Sequence, residues 1–185
     1  MRHESTPLNF PQQFVELNRI VYDRLRQGFH FSSAQEEFLR LQQYRKEFES
    51  FYNALGLDIR YTPDAIYLEA GGSQRLTQDR VQQMSMFFIV LAPYVEETEN
   101  RTLHDLIRSQ TTLRKSELPH LAQPAHKTLM GKVGVSDIDS FNRLLKNMRD
   151  KGFVELSGNE IRLLGPSMRF VRAISSAIDS SGEEE

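Results

Sequence analysis

The sequence predicts a mainly α fold with small β-hairpins, an α+β chain built by using one unit twice. Three observations predict it. The order helix, glycine, strand, tight turn, strand occurs in "FESFYNALGLDIRYTPDAIYL" (residues 48–68) and again in "LLKNMRDKGFVELSGNEIRLL" (144–164). Amphipathic helical runs precede each copy. Strand-type alternation is confined to the two hairpins, as in Leu57, Ile59 and Tyr61. Helices followed by a hairpin in this order make a winged helix, so the duplication predicts tandem winged-helix domains. The plainer alternative is an αββ packing element used twice. The expected division is an N-terminal domain over 1–76, its first ten residues disordered, a C-terminal domain over 77–178, and an acidic disordered tail over 179–185.

Each element has a local reason. Pro11 suits a helix first turn, and Phe14, Leu17, Val21 and Leu25 follow at helical spacing until Gly28. Ser33 and Glu36 form a capping-box pattern for one long second helix. Its apolar stripe runs through Phe38, Leu41, Tyr44, Phe48, Phe51, Tyr52 and Leu55 and stops at Gly56. "LDIRY" and "AIYLEA" flank a "TPD" turn, where Pro presets φ and Asp accepts local hydrogen bonds. "GGSQ" reads as a linker. Thr77–Tyr94 is a third helix, apolar on most sides and therefore expected inside protein, between the halves or at a dimer contact, with Pro93 ending or kinking it. Leu103, Leu106 and Ile107 mark a fourth. The stretch 108–132 shows weak periodicity and two prolines, which predicts short helices in a flexible basic loop. Ser136 and Asp139 form another capping-box pattern ahead of Ile138, Phe141, Leu144, Leu145 and Met148, and Gly152 stops the helix. "FVEL", "SGN" and "EIRLL" make the second hairpin, and Pro166 opens a last helix with Phe170, Val171, Ile174 and Ile178 on its apolar side.

Composition narrows the function. Cysteine is absent, which removes disulfides and thiolate metal sites. The start lacks the apolar region of a signal peptide, and the most hydrophobic run, Met84–Ala92, is too short for a bilayer, which needs about 20 residues. No membrane role and a cytoplasmic location follow as expectations. The net charge of −2 hides an asymmetry: residues 101–178 hold 13 Lys+Arg against 7 Asp+Glu, while residues 1–100 and the tail are acidic. A basic segment of this kind suits nucleic acid or an acidic protein surface.

Catalytic chemistry is missing. Gly131-Lys132 lacks the preceding glycine and following Ser/Thr of a phosphate loop. His120 and His126 have no carboxylate or cysteine at ligand spacing. No catalytic residue, metal ligand or cofactor is expected, and the chain is read as no enzyme. Interaction residues are the alternative. On the first long helix, Glu36, Glu37, Glu47 and Glu49 offset Arg40, Arg45 and Lys46. On the helix before the second hairpin, Arg143, Lys146, Arg149 and Lys151 face outward with Asn142 and Asn147 between them, which is the chemistry of a DNA-docking helix. Arg114 and Lys115 join them as DNA-contact candidates; the alternative is a solvated helix face. Phe29, Phe31, Tyr61 and Tyr67 are the partner-contact candidates, with core positions as the alternative.

Residues 14–175 resemble a known family in segment order, hairpin placement and apolar helix pattern. The segments that carry this are "HFSSAQEEFLRLQQYRKEFESFYNALGLDIRYTPDAIYLEAGG", "RLTQDRVQQMSMFFIVLAPYVEE" and "SDIDSFNRLLKNMRDKGFVELSGNEIRLLGPSMRFVRAI". They look like the MksE/MukE group, the KITE accessory subunits of bacterial SMC condensins. The resemblance implies a non-catalytic, homodimeric subunit that binds a kleisin of the MksF/MukF type and, through it, an SMC ATPase of the MksB/MukB type. It also implies largely non-sequence-specific help in clamping DNA on the nucleoid, in chromosome organisation and segregation or plasmid defence. A winged-helix transcriptional regulator is the competing function, carried by the basic helix alone.

Overall fold

In a computed structural model of the chain, residues 10–69 and 77–181 are described. The "GGSQ" linker, the last four residues and the expected disordered start up to residue 9 lie outside them, whereas Phe10, the last residue of that start, packs on Phe14. The order of elements is α1 (Gln12–Arg26), β1 (Phe31–Ser32), α2 (Glu36–Gln43), α3 (Arg45–Ala54), β2 (Asp58–Tyr61) and β3 (Ala65–Glu69), then α4 (Gln78–Glu99), α5 (Leu103–Ser109), β4 (Thr112–Arg114), α6 (Pro124–Lys132), α7 (Ile138–Asp150), β5 (Val154–Ser157), β6 (Glu160–Leu163) and α8 (Met168–Ser181). Two 3-10 turns, Lys115–Glu117 and Gly165–Ser167, fill the connections.

Both hairpins form, and each gains a third strand. The sheets are antiparallel, in the orders β1-β3-β2 and β4-β6-β5, so the same path of helix, strand, helix, helix, strand, strand runs through residues 12–69 and 103–163. Phe31 pairs with Ile66 in the first sheet, and Leu113 with Ile161 in the second. Strands of two or three residues cannot display an alternating pattern, so β1 and β4 leave no trace in the sequence. Two hydrophobic clusters result. One gathers α1, α2, α3 and the first sheet around Phe14, Leu41, Phe48 and Tyr52. The other gathers α4 to α8 and the second sheet around Phe87, Leu145, Phe153 and Phe170.

Several elements depart from expectation. The single long second helix is two, because Tyr44 (φ −101°, ψ 30°) closes α2 and opens α3. The break lets α2 lie against α1 while α3 packs on β2. The Ser33/Glu36 box is not made; Gln35 stands at the α2 cap, and its Oε1 accepts from the Ser32 N–H at 2.9 Å. The box at α7 exists but is shifted by one residue, with Asp137 accepting from the Ser140 N–H at 2.7 Å and Ser140 Oγ accepting from the Asp137 N–H at 3.1 Å. Consequently Ile138 falls off the stripe and is 61% exposed.

Helix α4 runs through Pro93 to Glu99. Proline removes the bond to the Ile89 carbonyl, and both Pro93 and Ile89 sit on the exposed side of the helix. Its other faces bury Met84, Phe87, Phe88, Val90, Leu91 and Val95 inside the second cluster. The expected flexible basic loop is ordered: Pro124 serves as the first residue of α6, and His120 enters the core. Helix α8 extends to Ser181, three residues into the stretch expected as tail.

Candidate nucleic-acid and partner interface

Helix α7 owes its position to a clean division of faces. Phe141, Leu144, Leu145 and Met148 are buried, and Asn142, Arg143, Lys146 and Arg149 are exposed on the other side. Gly152 (φ +77°) ends the helix and delivers the chain straight into β5. Arg143 and Lys146 therefore project freely. Arg149 is held by Asp150 at 2.8 Å. Lys151 turns away from the helix face: its Nζ donates to the Gln27 carbonyl, and its own carbonyl accepts from the His30 N–H at 3.0 Å. Burial lowers the Lys151 pKa, and the nearby Arg80 charge adds to that.

Arg114 and Lys115 lie elsewhere, at the tip of the second hairpin. Arg114 pairs with Glu160 across the sheet and holds Glu117 at 3.0 Å. The Lys115 N–H donates to the Asn159 carbonyl at 2.7 Å. The sheet order β4-β6-β5 separates this edge from the strand that follows α7. The six basic candidates thus divide into a helix pair, Arg143 and Lys146, a hairpin-tip pair in which Arg114 is held by Glu117, and two residues, Arg149 and Lys151, engaged by carboxylate or backbone. The corresponding helix of the first unit, α3, is neutralised locally, with Arg45 on Glu49 at 2.7 Å.

Two of the four aromatic candidates take the core alternative, and two stay partly exposed. Phe29 and Phe31 are 8% and 0% exposed, and the Arg24 guanidinium lies over their rings at 3.8 and 4.7 Å. Their expected exposure is corrected by β1, which draws Phe31 into the first sheet. Tyr61 is half-buried, its hydroxyl donating to the Leu41 carbonyl at 3.3 Å with Arg45 over its ring, and burial pushes its pKa up. Tyr67 is half-buried against His30, with ring centroids 4.6 Å apart.

That last contact belongs to a feature the sequence reading missed, the seam between the two units. His30 sits between Tyr67 of the first unit and Phe153 of the second, 4.9 Å away. Arg169 of α8 can only donate, so His30 Nε2 accepts from it at 3.3 Å, and Nδ1–H donates to the Gly28 carbonyl at 3.1 Å. The ring is neutral, since burial and the Arg169 charge hold its pKa down at about 4. Asp64 receives Arg172 across the same seam at 2.6 Å. Two glycines allow the approach: a Cβ on Gly152 would overlap the His30 carbonyl, and one on Gly165 would stand 2.5 Å from the Asp64 carbonyl. Nothing in a linear pattern marks these residues, because each has its partner in the other unit.

The second buried histidine, His120, donates from Nε2 to the Phe87 carbonyl at 2.9 Å and stacks on Phe87 and Phe141. Burial lowers its pKa to about 4 as well. Among the described residues, no three His, Asp or Glu side chains are grouped to hold a metal, and no helix is long and apolar enough to cross a membrane. What the surface offers is a basic helix face, a basic hairpin tip and a cleft along the seam. No curated protein matches the chain. The model of the family described as Condensin complex protein MksE matches residues 16–175, a span that reaches across both units, and the chain belongs to that family.

Proposed function

We propose that the chain is a non-catalytic accessory subunit of a bacterial SMC condensin, built of two winged helices and acting as a homodimer. It binds a kleisin of the MksF/MukF type, reaches the MksB/MukB-like ATPase through it, and helps hold DNA without reading sequence. Its place is the cytoplasm, on the nucleoid, in chromosome organisation and segregation or in plasmid defence. In this reading α7 occupies the recognition-helix position, and the β5–β6 hairpin with Arg114 and Lys115 beside its turn is the wing. The single observation that carries the reading is the repeated path of six elements, joined to family membership.

The free cations of α7 and the wing number few, and each phosphate contact adds affinity that salt removes. DNA binding is therefore expected to be weak, sequence-blind and lost between about 50 and 200 mM salt. Co-purification with the kleisin tests the main claim: a stable complex at micromolar concentration supports it, and no complex rejects it. The exposed basic face of α7 also favours a second reading, a transcriptional regulator. Tight binding to one short palindrome that survives physiological salt selects that reading.

A further inference from the structure

We infer that Arg80, Lys151 and Arg169, gathered around His30 where the two units meet, form a binding site for a doubly charged, phosphate-type anion. The site is defined by side-chain placement and charge, and nothing in it depends on the accessory-subunit reading.

The three cations come from three elements of the second unit. Arg80 stands in the first turn of α4, Lys151 caps the end of α7, and Arg169 stands in the first turn of α8. Two of them grip one loop of the first unit. Arg169 Nη1 donates to His30 Nε2 at 3.3 Å, and Lys151 Nζ donates to the Gln27 carbonyl. The Lys151 carbonyl accepts from the His30 N–H at 3.0 Å, which fixes the loop beside the lysine. Arg80 lies close enough for its charge to act on Lys151, and the charges of Arg169 and Lys151 both act on His30.

No carboxylate balances this charge. Among the described residues, none of the three makes an ion pair. Asp150, whose charge reaches Lys151, is taken by Arg149 at 2.8 Å, and Asp64 of the first unit is taken by Arg172 at 2.6 Å. Asp79, next to Arg80 in sequence, is exposed and holds none of them. Like charges at short range repel, the more so where water is partly excluded. Burial and the Arg80 charge both lower the Lys151 pKa, and His30 answers the same field by staying neutral. The free chain bears this repulsion with no compensating contact, and an anion placed among the three cations removes it.

The donors to hold such an anion are present. An ammonium carries three N–H groups and a guanidinium five. Lys151 spends one on Gln27 and Arg169 one on His30, so most of their donors stay free. Bonds from guanidinium and ammonium to phosphate oxygens are the strong, charge-assisted kind. Three cations match an ion of two charges and several oxygens better than they match chloride or a single carboxylate. Arg80 and Arg169 are exposed and Lys151 is half-buried, so an ion reaches the site without opening the seam. Once held, it steadies the grip of Lys151 and Arg169 on the first unit.

The test uses the full chain in chloride buffer, with sodium phosphate added at constant ionic strength. Phosphate is expected to move the amide resonances of His30 and Gly152 in a saturable way. It is expected to raise the melting temperature by about 3 °C or more at about ten times its Kd. Arg80→Gln with Arg169→Gln changes two exposed side chains and should lose both effects. Arg143→Glu with Lys146→Glu, on the α7 face, should keep them. A short DNA duplex then names the source of the anion. If the duplex moves the same two amides and phosphate adds nothing further, the ligand is a backbone phosphate; if the duplex leaves them in place, it is a free ion. A rise in melting temperature that survives Arg80→Gln with Arg169→Gln is the general salting effect of phosphate and overturns the inference. Wild-type resonances that phosphate leaves unmoved overturn it as well.

Discussion

His30 and His120 are buried, although their type is ordinarily half in water. Each is buried and neutral, with a pKa lowered to about 4 from an ordinary 6.5, by desolvation first and then by Arg169 and Lys151 for His30 and by His126 for His120. The unfolded chain binds protons at these rings below about pH 6.5, whereas the folded chain does not until about pH 4. Stability is therefore complete above pH 6.5 and falls as pH drops through that window, by up to about 3 kcal/mol per histidine at the bottom of it. Melts at pH 7.5 and 5.0 should show the loss, and His120→Phe, which keeps the stacked ring, should reduce it. Equal melting temperatures at both pH values would contradict the burial of these rings. The sequence shows where the histidines are, yet neither burial is legible in it, because His120 lies between two prolines in an aperiodic stretch and His30 owes its burial to the other unit.

At the level of the element, α7 was the most legible part of the chain. Its stripe is strictly periodic, and its glycine stop is read correctly. The one-residue slip of its cap has a physical source: "SDIDS" contains two overlapping box patterns, and the observed one leaves Ile138 at the exposed helix start. Two variants, altered on opposite faces, should behave differently. Leu145→Ala, at a 1% exposed position, should cost about 2–5 kcal/mol, with the melting temperature falling about 2–4 °C per kcal/mol. Arg143→Glu with Lys146→Glu should leave the melt within about 0.5 kcal/mol, since both side chains are exposed. The same pair should weaken DNA retention and lower the salt slope by about 2. Unaltered DNA affinity in the double variant removes α7 from the DNA site. Elements without periodicity fared worse. The bend at Tyr44 and the strands β1 and β4 depend on which surfaces α2, α3 and the hairpins must cover.

Across the whole molecule, the two hydrophobic clusters are separate, and their docking rests on a narrow set of contacts around His30, Asp64, Gly152 and Gly165. The repeat is visible in the sequence, whereas the way its copies join is not, since it is written in close backbone approaches between residues more than a hundred positions apart. A pair of alanine substitutions isolates the seam. Gly165 has no left-handed φ, so a methyl there strains no backbone, yet it would stand 2.5 Å from the Asp64 carbonyl of the other unit. Gly131 also has no left-handed φ, and nothing lies within 4 Å of its missing Cβ, within α6. The chemical change is identical. Gly131→Ala should be neutral or stabilising by about 0.4–1 kcal/mol, and Gly165→Ala should cost about 1–3 kcal/mol through overpacking. Because the lost contact is between units and not within a core, calorimetry should show one transition for the wild type and two partly resolved transitions for Gly165→Ala. A single, unshifted transition in Gly165→Ala would mean that the two units do not depend on this approach for their mutual placement, and the groove along the seam would lose its fixed geometry with it.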